Sequence, residues 1–145
     1  MADLDSNNRF HISLPEDWVD QSVYMFNGPE VNGFQHNLTL VIDTALQDYD
    51  LESFARERID TQLTATPGME LLKEEAKTLP SGTEAYEAVI KWIPVDGTII
   101  FQKRVYLIVD EVGYSFTANF TKQTIKTIGL QVDQIIDSFK TGGAF

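Results

Sequence analysis

Cysteine is absent from the chain. Its absence excludes disulfides, thiolate nucleophiles and cysteine-ligated metals, and it leans toward a reducing compartment. Long apolar runs are missing too. The longest pieces, YEAVIKWIPV at 86–95 and TIIFQKRVYLIV at 98–109, are broken by charges and fall short of the ~18 to 20 residues a membrane span needs. The first residues, MADLDSNNRFHISLP, lack the basic region and apolar core of a secretion signal, so a cytoplasmic protein without direct membrane insertion is expected. Glycines stand singly in turns or as the terminal Gly142-Gly143, which leaves neither GxGxxG nor GxxxxGK[ST] to cradle a phosphate. Basic residues are few. Eleven Lys and Arg face 22 Asp and Glu, a formal charge of −11 that opposes nucleic acid and anionic lipid as partners.

What remains is the composition of an ordinary globular chain. With 43% hydrophobic, 11% aromatic and 23% charged residues and no repeat, its 145 residues read as one domain spanning 1–145. A chain of this size buries roughly two thirds of its unfolded surface and needs no covalent staple.

Alternation and helical spacing divide the chain into elements. Phe10, Ile12 and Leu14 alternate with polar residues in a short strand that stops at Pro15. A second strand spans 22–26, followed by a loop in NGPEVNG, and a third lies in HNLTLVIDTAL with Leu38, Leu40 and Ile42 on one side. Leu51, Phe54, Ala55, Ile59 and Leu63 recur at helical spacing, with Asp50 as N-cap and Pro67-Gly68 as the stop. The segment 69–78, MELLKEEAKT, reads as helix by propensity, yet its apolar positions and the breaker after it also permit a strand. Residues 84–120 read as a three-strand meander turning at 95–97 and 110–113. A closing helix from about 122 to 139 carries Ile125, Ile128, Val132, Ile135, Ile136 and Phe139 in one stripe, and TGGAF frays after it. The expected fold is therefore α+β, an antiparallel sheet of six to seven strands with two helices on one face.

In the second strand both alternating faces are apolar. Tyr24 and Phe26 share one side and are expected in the core with Leu40, Ile42 and Phe116; Val23 and Met25 share the other, which such a sheet leaves open.

Residues for chemistry are scarce. His11 and His36 stand alone and read as edge or surface residues, and the acids Glu74, Glu75, Asp110 and Glu111 read as solvated. No cofactor, metal or enzymatic activity is expected. Lys103 and Arg104 sit in mid-strand and point to opposite faces, leaving one to pair with an acid and the other to line a binding surface.

Pro15, then Trp18, Asp20, Gln21 and Ser22, then an alternating apolar strand ending in Phe26, resembles the Eag chaperones of bacterial type VI secretion systems. These are small acidic proteins related to the DcrB and PsbP-like fold. The likeness continues in outline through the strand at 38–42, the helix that closes at TPGM, the meander and the last helix. It implies a cytoplasmic homodimer that holds the N-terminal transmembrane segments of a toxic effector until they are loaded for export. It also implies a strand at 69–78. Residues of the second and third strands contact effector helices in that family; by position these are Val23 and Met25, with Val41 beside them and Thr39 as a hydroxyl able to hydrogen-bond a helix. Met25 and Thr39 are softer and more polar than the family's choices.

The dimensions suit such a role. A sheet of about five strands at ~4.8 Å spacing is roughly 24 Å wide, near the ~30 Å of a membrane helix. Methionine adapts to varied helix surfaces. Ser115, Thr117 and Asn119 alternate with apolar residues and would keep the empty face soluble if they share it. An accessory protein of a membrane assembly, built on the same fold and without catalysis, is the alternative. A small-ligand or hydrolytic domain would need a pocket with convergent polar groups.

Overall fold

The computed structural model describes residues 2–6, 10–19, 21–46, 50–94 and 96–141, and one long crossover decides its architecture. In chain order the elements are β1 (Ala2–Ser6), β2 (Phe10–Leu14), β3 (Val23–Val31), β4 (Phe34–Asp43), α1 (Leu51–Ala65), β5 (Met69–Thr78), β6 (Glu84–Trp92), β7 (Ile100–Val109), β8 (Val112–Thr121) and α2 (Ile128–Asp137). Strands β3 to β8 form one antiparallel six-stranded sheet in the order β3-β4-β8-β7-β6-β5, and β1 pairs with β2 in a separate hairpin. This is the α+β class expected. The strand Ala2–Ser6 was not expected; it pairs along its length with β2, Ala2 opposite Leu14 and Ser6 opposite Phe10. Three expectations touch residues outside those described: Asp20 in the motif, Val95 in its turn and the tail 142–145.

Four antiparallel steps separate β4 from β5 in the sheet, so these two strands run parallel and α1 must cross three strands to join them. Such a crossover satisfies the right-handed preference on only one side of a sheet. Helix α1 lies on the side bearing Tyr86, Ala88 and Tyr106, where it buries Phe54, Ala55 and Ile59. Helix α2 follows β8 and takes the other side, burying Val132 and Ile136 against Leu38, Val105, Leu107, Phe116, Ala118 and Phe120. The expectation of two helices on one face is therefore wrong: each face carries one. The register fixes this independently. Val105 pairs with Phe116 and Tyr106 with Ser115, and neighbours along a strand point to opposite sides.

The helices are also offset. The body of α1 lies over β5 to β7, with Phe54 reaching Gly113 of β8 and Arg58 reaching Asp43 of β4, while α2 centres on β8. Each face thus has a covered half and an open half. On the α2 face the open half, over β5 and β6, is charged: Lys73, Glu75, Lys77 and Glu87 make ion pairs there. On the α1 face the open half covers β3, β4 and β8; its charges stand at its margins, Arg104 beside β8, Asp43 at one end and Glu30 at the other.

Several local expectations change. NGPEVNG is strand through Val31 rather than loop. The turn is Asn32-Gly33, with φ of 51° and 82°, the left-handed pair a tight hairpin needs. A register shift between Asn27 and Glu30 admits Pro29, whose missing N–H costs little on an edge strand. Residues 69–78 form the strand implied by the family resemblance, because pairing with β6 outweighs helix propensity. The last helix starts six residues later than expected. The Thr124 hydroxyl accepts from the Thr121 backbone N–H at 3.1 Å, and such local bonds compete with helix. Ile135, placed on the buried stripe by spacing, is 52% exposed. Phe26, expected in the core, is 56% exposed: its side is correct, but α2 does not reach the edge strand.

Gly113 marks a close approach of α1 to β8. A Cβ there would lie 2.6 Å from the Phe54 ring, which is itself buried. Gly113→Ala should cost about 1 to 3 kcal/mol, read as a lower urea midpoint with unchanged slope.

Candidate binding face

The strip left open between α1 and the free edge is built by cross-strand register. Val23 pairs with Val41, and Val41 with Ser115; Met25 pairs with Thr39, and Thr39 with Thr117. All four residues singled out for partner contact, Val23, Met25, Thr39 and Val41, therefore share one surface. Val23 is 60% exposed and Met25 63%, while Thr39 and Val41 are half-buried in the floor. The row Ser115, Thr117 and Asn119 lies on the same side, so hydroxyls and an amide interleave with the apolar groups.

Polar bonds close the inner margin. Gln102 Nε2 donates to the Asn119 side-chain oxygen Oδ1 at 3.0 Å and its Oε1 accepts from Arg104 Nε, and Arg104 Nη1 donates to the Tyr106 hydroxyl at 3.2 Å. Burial pushes the Tyr106 phenol up, and the adjacent Arg104 cation opposes that shift. At one end Arg58 of α1 bonds Asp43 of β4 at 2.6 Å and lies over the Phe54 ring, tying the helix to the strip.

The residues of the 15–22 segment are less structural than their pattern suggests. Trp18 is 65% exposed and Val19 is exposed beside it; the Trp18 backbone N–H closes a turn onto the Pro15 carbonyl. Gln21 is exposed. Ser22 extends the ladder, its carbonyl accepting from Ile42 N–H at 2.8 Å. Asp20 lies outside the described residues.

His36 overturns its reading as an edge or surface residue. It is 2% exposed, with Nδ1 2.9 Å from the Pro29 carbonyl and Nε2 2.8 Å from the Thr124 hydroxyl. It thereby locks the β3–β4 hairpin to the segment leading into α2. The signal was in the alternation: His36 has the parity of Leu38, Leu40 and Ile42. A cleft of about 90 Å³ opens beside it between Phe26, Pro29, Ile128 and Ile135. Glu74 is not simply solvated; it accepts from the Tyr86 hydroxyl at 3.0 Å and pairs with Arg56 at 2.9 Å. Asp110 and Glu111 form the β7–β8 turn with φ of 51° and 66°. Lys103 points to the α2 face and pairs with Asp133 at 2.8 Å, and Arg104 points to the α1 face, at the margin of the open strip.

Among the described residues no helix is long and apolar enough to cross a membrane. A model of the family described as DcrB matches residues 10–138. The crystal structure of PA94, a Pseudomonas aeruginosa protein described as of unknown function, superposes with a TM-score of 0.76 at 15% identity, covering 96% of this chain and 95% of that one. At that identity the likeness is one of fold. No curated protein matches the chain.

Proposed function

The chain belongs to the DcrB family, matched over most of its length, and from that premise we propose that it is a chaperone of the Eag type. In this reading it is a cytoplasmic, non-catalytic protein that shields an N-terminal transmembrane helix of a type VI secretion effector before loading. One observation carries the reading: the partly apolar half-face over β3, β4 and β8, charged only at its margins, with Val23 and Met25 exposed on it.

The dimensions support a single helix in that strip. Three strands at ~4.8 Å give a floor about 14 Å across, enough for one helix of about 10 to 12 Å diameter alongside α1. The ten residues of β4 extend about 33 Å, close to the ~30 Å of a membrane-spanning helix. A bound helix would thus run along the strands and not across the whole sheet, because α1 occupies the other half. Each Val- or Met-sized side chain removed from water contributes about 1.5 to 3 kcal/mol, and the hydroxyls of Thr39, Ser115 and Thr117 can bond small polar residues of the helix. Two copies of the chain would shield two such helices, which is how the homodimer implied by the resemblance enters this proposal.

Co-expression with the apolar N-terminal segment of the effector encoded beside its gene tests the reading. Capture of that segment by the full chain is the expected result. A well-folded chain that captures nothing would overturn the chaperone role and favour an accessory protein of a membrane assembly.

A further inference from the structure

The half-face proposed for helix docking contains a cation with no carboxylate partner among the described residues. Arg104 is half-buried in the row Met25, Thr39, Thr117, Arg104, and its partners are neutral: the Gln102 amide oxygen and the Tyr106 hydroxyl. Arg58, Lys77 and Lys103, half-buried like it, each close on a carboxylate. A chain with 22 acidic residues nonetheless places none against Arg104 among the described residues. Two of its five N–H donors are used, and its nearest neighbours on the strip by register are Met25, Thr39, Ser115, Thr117 and Asn119.

Covering an unpaired guanidinium with a purely apolar helix strips its water and returns nothing. A helix that brings a carboxylate to the same place makes a charge-assisted, two-pronged bond. We propose that Arg104 selects its partner, favouring an apolar helix that carries one acidic side chain level with the Thr39–Thr117 row. Acids are rare inside membrane-spanning segments, so a single one distinguishes a client from the many helices that are merely apolar. This inference rests on the docking reading and adds the chemistry by which that face tells one helix from another.

The test uses synthetic 20-residue Leu/Ala helices with identical terminal lysine pairs. Four carry one glutamate, moved stepwise through one central turn so that one of them meets Arg104; four carry glutamine at the same positions. Each is titrated onto the full chain, as wild type, Arg104→Gln, Arg104→Met and Val23→Asp/Met25→Asp. The best glutamate peptide should bind wild type about tenfold more tightly than its glutamine twin, and that preference should vanish in both Arg104 variants. Equal binding of every glutamate and glutamine pair by wild type would overturn the role of Arg104 and leave docking intact. Failure of all peptides to bind, or binding indifferent to Val23→Asp/Met25→Asp, would overturn docking itself. The two Arg104 variants guard against a fold defect peculiar to one of them, and their melting curves against wild type reveal any such defect.

Discussion

Changing Val23 and Met25 together to aspartate should abolish capture of an apolar helix while leaving the protein folded. Both side chains are already more than half in water, so the folded state loses little burial when they are replaced. The remaining cost is the poor strand propensity of aspartate, about 1 to 2 kcal/mol for the pair. The bound state suffers far more. Two carboxylates would lie beneath an apolar helix, and each must give up its water or its charge. Affinity should fall at least about 100-fold, some 2.7 kcal/mol. Urea unfolding and helix titration on the same sample separate the two effects. If the variant unfolds, the strip is core in the functional form and the docking reading fails.

Phe116→Ala should do the reverse. Phe116 is 5% exposed, stacks edge-on against Phe139 with ring centroids 5.5 Å apart, and lies in the cluster that holds α2 to the sheet. Truncation removes that contact and leaves a cavity between α2 and β8, at a cost of about 3 to 5 kcal/mol. Against the ~5 to 15 kcal/mol of a typical domain that is a large loss, so a much lower melting temperature is expected. Phe26→Ala is the informative control. It has the same parity and chemistry, but at 56% exposure it should cost under about 1 kcal/mol. A similar loss from both would mean that something covers the β3 edge.

That contrast marks where the sequence is legible. Parity came through where a strand was expected: Leu38, Leu40 and Ile42 share a side, and so do Val23, Met25, Thr39 and Val41, although Ala2–Ser6 and the far half of β3 were missed as strand. Parity says which residues face together, not what faces them. Phe26 was placed on its correct side and still misjudged, because the reach of α2 depends on where the chain leaves β8. The placement of α1 was misjudged for a related reason, since a crossover takes its side from handedness between strands whose order the sequence hides. One local clue pointed the right way. Val105-Tyr106-Leu107-Ile108 is apolar at every position, as befits a strand buried on both faces. His36 and the segment 69–78 show the other limit: a buried, doubly bonded histidine and a strand rich in helix formers both depend on partners distant in sequence.

Strands β6 and β7 each place buried residues in both helix-bound clusters, Ala85, Val105 and Leu107 toward α2 and Tyr86, Ala88 and Tyr106 toward α1. Strand β3 contributes to neither and hangs on β4 alone. Amide exchange should follow that order, with β7 opening only on global unfolding and β3 peeling away at far lower free energy. The edge that carries Val23 and Met25 is thus the loosest part of the sheet when empty. A helix laid across it would act as the missing second layer, so occupancy should be readable as slowed exchange in β3 and β4 with β7 unchanged.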